Sequence, residues 1–207
     1  MQILVVAATE MEIAPFLAGH PSADILITGV GCPETMYQLT KRLHQIDYDM
    51  VVQAGIAGCF NEADLGQVFL IERDLFADLG IREQGRLLSL FDMGFADKDH
   101  FPFSDGWLIN PELRQRFPGL PQRKGITVNT VGEDEEATRF YLEKFQPAIE
   151  SMEGAALHYI CLREEVPFIQ IRSTSNMVGE RDKTKWKMKQ AIEKLNEALP
   201  ALLPQFK

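Results

Sequence analysis

The chain of 207 residues is 45% apolar, 25% charged and 9% aromatic, enough to bury a core and too apolar for a disordered segment. Its 21 Lys and Arg against 30 Asp and Glu leave a formal net charge of -9, which opposes nucleic acid and anionic membranes as partners and favours a small substrate. No apolar run approaches the roughly 20 residues that span a bilayer, and three distant cysteines, Cys32, Cys59 and Cys161, fit neither a disulfide framework nor a zinc site, so no metal or cofactor is expected and the cytoplasm is the expected compartment.

The opening MQILVVAAT is an apolar, β-branched run with acids behind it and no basic leader ahead of it, so it reads as a buried strand. Thr9-Glu10-Met11-Glu12 fits a capping box, with Thr9 at the N-cap and Glu12 at the third helical position of a helix running to Leu17. The carboxyl edge of a strand in an open α/β sheet is also where ligands bind, which gives Glu12 a second reading as a general base facing a pocket. The strand Asp24 to Thr28 leads through Gly29-Val30-Gly31 into a helix from Pro33 to Gln45. A dinucleotide fingerprint would need a third glycine where Glu34 stands, so the glycines read as a tight strand-to-helix turn with Pro33 in the first helical turn.

Asp49 to Ala54 is the third strand, and Gln53-Ala54-Gly55-Ile56-Ala57-Gly58 ends it in small residues, where a backbone turns sharply or approaches a ligand. After a fourth strand at Gln67 to Glu72, the stretch from Ala77 to Pro111 holds no period, as functional or partner-contacting loops do. Its Phe91, Phe95, Phe101 and Phe103 suit either core or subunit contact. A strand at Gly125 to Val131 precedes the acids Glu133 to Glu136, which favour the positive end of a helix over Ala137 to Phe145.

Glu150-Ser151-Met152-Glu153-Gly154-Ala155-Ala156 carries a buried-looking strand into two carboxylates and then a helix from Gly154 to Arg163. A buried acid needs a partner, and Arg172, at the end of the next strand (Pro167 to Ile171), can serve Glu153. Arg172-Ser173-Thr174-Ser175-Asn176 ends that strand in donors and acceptors, a poor choice for packing and a good one for reading a polar ligand. Arg181, Lys183, Lys185, Lys187 and Lys189 read as a solvated helix face, or as a cluster that captures a substrate anion. The final helix, after Asp182, spaces Met188, Ala191, Ile192, Leu195, Leu199 and Leu202 for packing on a sheet. Strand and helix alternate, so the fold class is α/β, in a single domain over residues 1–207. GxxxxGK[ST], GxSxG and HExxH are absent and the four histidines are isolated, which sets aside P-loop hydrolysis and two common hydrolytic motifs.

Taken in register, AATEMEI, TGVG, QAGIAG, ESMEGAA and RSTSN resemble the nucleoside phosphorylase family, most closely the branch with the methylthioadenosine/S-adenosylhomocysteine nucleosidases and futalosine hydrolases. The resemblance implies a mixed sheet partly closed into a barrel and flanked by helices, and cleavage of the bond between a purine and C1 of a ribose. It implies that Glu12 activates the attacking water, that Met152 and Glu153 hold the ribose, and that Asn176 holds the purine. Gly55, Ile56, Val131, Gly132 and Ser175 are placed around the nucleoside by position. The adenine-specific members carry Asp where Asn176 stands. An amide nitrogen can donate to both N7 and a 6-oxo group, which points to hypoxanthine or guanine, although Asn cannot itself deliver a proton.

The tail from Val178 to Trp186 resembles that of futalosine hydrolases, whose substrate bears a benzoate beyond the ribose, a group that Arg181 and Lys183 could balance. The expected function is hydrolysis of futalosine to hypoxanthine and dehypoxanthine futalosine in menaquinone biosynthesis, by a homo-oligomer based on a dimer. A methylthioadenosine/S-adenosylhomocysteine nucleosidase stays open as an alternative, disfavoured by Asn176, and so do two others. One is a purine nucleoside phosphorylase, disfavoured because no Arg stands beside Gly29 to Gly31 or Gly55 in sequence and Glu12 would repel phosphate. The other is a noncatalytic nucleoside-binding module, which would have no need of Glu12.

Overall fold

The computed structural model describes residues 1–83, 86–114 and 119–206. In chain order the strands are β1 (Ile3–Ala7), β2 (Asp24–Ile27), β3 (Met50–Cys59), β4 (Val68–Asp74), β5 (Gly80–Glu83), β6 (Arg86–Ser89), β7 (Leu108–Ile109), β8 (Gln122–Thr127), β9 (Ile149–Ser151) and β10 (Phe168–Met177). The helices are α1 (Glu10–Ala18), α2 (Cys32–Leu43), α3 (Glu135–Phe145), α4 (Gly154–Arg163) and α5 (Met188–Leu202).

The main sheet runs β10-β4-β8-β9-β3-β1-β2, and β10 also pairs with β3, so β3, β10, β4, β8 and β9 close into a ring. The fold is therefore a mixed α/β sheet, partly closed into a barrel. Strands β2, β1, β3 and β10 are mutually parallel, whereas β4 and β9 run antiparallel to β10 and β3. The period of two explains the near-continuous apolar runs. Val5, Val52 and Ile169 pack with Leu195 and Leu199 of α5, while Leu4, Val51 and Phe168 pack with Leu39 of α2 and Leu157 of α4.

Several boundaries differ from the sequence reading for identifiable reasons. Strand β3 runs to Cys59 and β10 to Met177, well past their apolar runs, because barrel closure gives the small and polar residues ladder partners on both sides. Strand β8 stops at Thr127 rather than Val131. The stretch 77–111 holds the hairpin β5–β6 and the short β7, with its residues 84–85 outside the described ones. Phe91 and Phe103 stack edge to face there, while Phe95 and Phe101 are exposed. The last helix begins at Met188, so Arg181 to Lys187 lie on a loop and a single 3-10 turn, not on a helix face. Among the described residues no helix is long and apolar enough to cross a membrane, and no group of three or more His, Cys, Asp or Glu is set to hold a metal ion.

Candidate active site

The parallel strands β1, β3 and β10 end on the same side, and their carboxyl ends border a cavity of about 260 Å³. Glu12 stands at the end of β1 in the first turn of α1. Its Oε2 accepts hydrogen bonds from the backbone N–H of Thr9 (3.0 Å) and the Thr9 hydroxyl (2.9 Å), as a capping box requires of its acid. Its Oε1 accepts from Ile56 N–H at 3.0 Å. The capping and pocket readings of Glu12 are thus compatible: the carboxylate lines the cavity, with three of its about four lone-pair sites held by protein donors.

Glu153, between β9 and α4, is the second acid. Its Oε1 accepts from Gly31 N–H at 2.9 Å, and its Oε2 lies 3.6 Å from Arg172 Nη1, whose side chain is 1% exposed. Arg172 Nη2 also donates to Gln53 Oε1 at 2.8 Å. Burial raises the Glu153 carboxyl above its ordinary range, opposed chiefly by the positive charge of Arg172. The turn from Gly29 to Gly31 has φ of 88° and 94° at its glycines, a left-handed backbone that presents the Gly31 N–H to this acid.

Gly55 does not line the cavity, contrary to expectation. A side chain there would collide with the Arg172 guanidinium and press on Glu12, so the glycine makes room for the buried charges beneath the site. An arginine therefore does stand beside Gly55, supplied by the adjacent strand. It is committed to Glu153 and Gln53 and lies outside the cavity lining, so it offers no free cation to an incoming anion.

On β10 the pairing with β3 slips between Thr174 and Asn176. This bulge at Ser175 re-aims the strand end, as bulges beside binding sites do. Ser175 hydroxyl donates to Asn176 Oδ1 at 2.8 Å, and Asn176 Nδ2 donates to the Met177 carbonyl at 2.9 Å, leaving the second amide proton of Asn176 without a protein acceptor. Ile56, Val131, Gly132, Met152, Ser175 and Arg181 all line the same cavity. Lys183 does not. Lys185 pairs instead with Glu180 at 2.7 Å, and Trp186 donates through Nε1 to the Glu180 carbonyl, fixing the loop that carries Arg181 to the rim.

Sequence reasoning missed Glu150, Gly58 and Trp186 as lining residues. The signal for Glu150 was the strand period: β9 buries Ile149 between β3 and β8 and so turns the next residue toward the cavity. It also missed the layer below, where Asp74 Oδ1 accepts from Leu75 N–H and the Thr127 hydroxyl, and buried Gln170 lies near both Asp74 and His158 without a hydrogen bond to either. Burial pushes Asp74 up to about 7 and His158 down to about 4.

A comparison with family models matches the phosphorylase superfamily over residues 16–204. Among curated proteins the chain is 29% identical to a futalosine hydrolase of Thermus thermophilus, covering 98% of this chain and 95% of that one. It is 31% identical to a futalosine hydrolase of Streptomyces coelicolor, covering 87% and 78%. Among solved structures, a methylthioadenosine/S-adenosylhomocysteine nucleosidase of Colwellia psychrerythraea in complex with adenine superposes with a TM-score of 0.78 at 19% identity, covering 100% of this chain and 96% of that one.

Proposed function

This chain belongs to the phosphorylase superfamily as a nucleoside N-glycosidase, and from that premise we propose that it hydrolyses futalosine, releasing hypoxanthine. The observation that carries the reading is the amide of Asn176 at the cavity wall, its oxygen engaged by Ser175 and one N–H proton left to donate. A 6-oxopurine presents two neighbouring acceptors, N7 and O6, to such a donor, whereas adenine presents a 6-amino donor beside N7. The curated relatives at about 30% identity over most of the chain support the same substrate.

Glycosidic cleavage passes through an oxocarbenium-like state, with positive charge on the sugar and negative charge on the departing base. Glu12 uses its remaining lone pair to take a proton from the water that attacks C1. Glu153, fixed by Gly31 and Arg172, accepts from ribose hydroxyls, and Met152 packs on the sugar. Asn176, its amide oriented by the Ser175 hydroxyl, stabilises charge on the leaving purine at N7, proton delivery there coming from water. Ile56, Val131 and Gly132 enclose the nucleoside, and Arg181 at the rim meets the benzoate carboxylate.

Hydrolysis is favoured over phosphorolysis by charge. The cavity is lined by four acids, Glu12, Glu150, Glu153 and Glu180, against one arginine at its rim, Arg181, while Arg172 beneath it is already engaged, so a phosphate would enter a region of net negative charge. The test is incubation with futalosine, inosine and methylthioadenosine, each with and without phosphate, with released base and sugar separated by chromatography. Hypoxanthine from futalosine without phosphate is the expected result. Release only with phosphate, or adenine from methylthioadenosine alone, would overturn it.

A further inference from the structure

Glu150, Gly58 and Asn176 form one row across three adjacent strands: Gly58 of β3 pairs in register with Glu150 of β9 on one side and with Asn176 of β10 on the other. All three border the cavity. Neighbouring strands lie about 4.8 Å apart, which sets the Cα atoms of Glu150 and Asn176 roughly 10 Å from each other, with a residue lacking a side chain between them. A Cβ at Gly58 would come within 3.0 Å of Val178 and 3.5 Å of Asn176 Nδ2, so even alanine would intrude on the gap. The two polar side chains thus flank a slot wide enough for one bicyclic base with a hydrogen bond at each edge.

Glu150 is the unusual member of this row. It is half-buried, yet its carboxylate makes no hydrogen bond or ion pair with any described residue, unlike those of Glu12 and Glu153. A desolvated carboxylate without a protein partner is costly unless a ligand supplies one. Accepting the futalosine reading above, on which this inference rests, we propose that Glu150 reads the adjoining edge of the 6-oxopurine, its carboxylate accepting a hydrogen bond from N1–H while the one free N–H of Asn176 is shared between N7 and O6.

The chemistry makes Glu150 a specificity-determining residue. Hypoxanthine and guanine carry a proton on N1, which a carboxylate accepts, whereas adenine presents a lone pair there, which a carboxylate repels. Asn176 and Glu150 then test two different atoms of one base, and adenine fails at both. Burial, aided by the negative charge of Asp78, pushes the Glu150 carboxyl up to about 7, and an N1–H donor favours its ionised form.

Two measurements on the purified protein test this. The first is futalosine hydrolysis without phosphate by the unmodified protein, which tests the underlying reading. The second is calorimetric binding of hypoxanthine, 1-methylhypoxanthine and adenine to the unmodified protein, Glu150→Gln and Glu150→Leu, with thermal midpoints to verify folding. The unmodified protein should bind hypoxanthine at least ten-fold more tightly than either other base, in line with loss of a charge-assisted hydrogen bond. Glu150→Gln should keep that order, since its amide oxygen still accepts from N1–H, and Glu150→Leu should reduce the preference to within two-fold. Unchanged hypoxanthine binding in folded Glu150→Leu, with futalosine still hydrolysed, overturns the role of Glu150 alone. Absence of both hydrolysis and hypoxanthine binding in the unmodified protein overturns the reading and the inference together.

Discussion

The two sides of the cavity are built differently. On the side formed by the ends of β1 and α1 and by the β9–α4 junction, each charged group is tied: Glu12 to Thr9 and Ile56, Glu153 to Gly31 and Arg172, Arg172 to Gln53. In the row formed by Glu150, Gly58 and Asn176, Asn176 keeps one amide proton free and the Glu150 carboxylate has no partner among the described residues. The difference separates a half whose charged groups the protein itself holds in place from a half that keeps polar atoms unengaged. Groups that stabilise developing charge work best when their positions are set before the reaction. Groups that select a base gain discrimination from being left unpaired when the wrong base enters.

The largest effect is expected at the tied half. Glu12→Gln keeps the size of the side chain and part of its hydrogen bonding but removes the proton acceptor, so kcat for base release should fall by about 10²- to 10⁴-fold, with KM changed far less. Steady-state kinetics on the substrate that releases base without phosphate provide the check. A Glu12→Gln protein with normal turnover would leave Glu12 as a helix cap only and erase the contrast between the two walls.

Arg172→Met tests whether the tied half is also structural. It leaves Glu153 buried with its charge unmatched, and breaking one partner of a buried pair costs about 3–5 kcal/mol. Denaturant unfolding should show that loss directly. The double variant Arg172→Met/Glu153→Gln should recover much of the stability and little of the activity, because it relieves the stranded charge without restoring a carboxylate at position 153.

The layer beneath the site gives a pH test. Asp74 is pushed up to about 7 by burial, so between about pH 4 and 7 the folded state holds a proton that the unfolded state has released. Stability from this group therefore falls as pH rises through that window and is level above it. His158, pushed down to about 4 by burial, works in the opposite sense, with stability rising between about pH 4 and 6.5. Asp74→Asn deletes only the first effect. Its amide oxygen can still accept from Leu75 and Thr127, so the variant should gain stability relative to the parent as pH is raised from about 5 to 8, at up to about 1.4 kcal/mol per pH unit. Thermal midpoints of both proteins across that range would measure it.

The same contrast explains what the sequence could reveal. The alternating apolar runs of β1, β3 and β10 and the capping signature at Thr9 to Glu12 are local, and they led directly to an α/β sheet and to an acid at a strand end. The partnership of Glu153 with Arg172 was legible too, since a buried acid demands a cation and only a nearby strand end offered one. Ring closure was not local. The pairing of β10 with β3, which carries Arg172 beside Gly55 and sets Asn176 opposite Glu150 through Gly58, depends on contacts over 110 residues apart in the chain. Gly55 was therefore read as a ligand contact when it is room for a guanidinium, and Glu150 was passed over although it stands in a quoted motif. The basic tail was read as a solvated helix face or an anion-capturing cluster, and the first reading fails from Arg181 to Lys187, where Asp182 caps a single short turn through Thr184 before α5 begins.

The smallest effect belongs to the rim, which neither half of the cavity constrains. Arg181 borders the cavity but is exposed, and no described residue pairs with it, whereas Lys183 lies outside the lining. An exposed ion pair contributes about 0.2–1 kcal/mol, so Arg181→Ala should raise KM for futalosine by no more than about five-fold and leave kcat unchanged. Two features distinguish a carboxylate contact from a general loss of shape. The effect should shrink as ionic strength rises, because solvent-exposed charges are screened, and it should vanish for inosine, which lacks the benzoate. Lys183→Ala should do nothing on either substrate. An Arg181→Ala protein that lost affinity equally for inosine would mean that Arg181 supports the nucleoside itself, and the anion-binding rim would then have to be sought elsewhere on the loop from Val178 to Trp186.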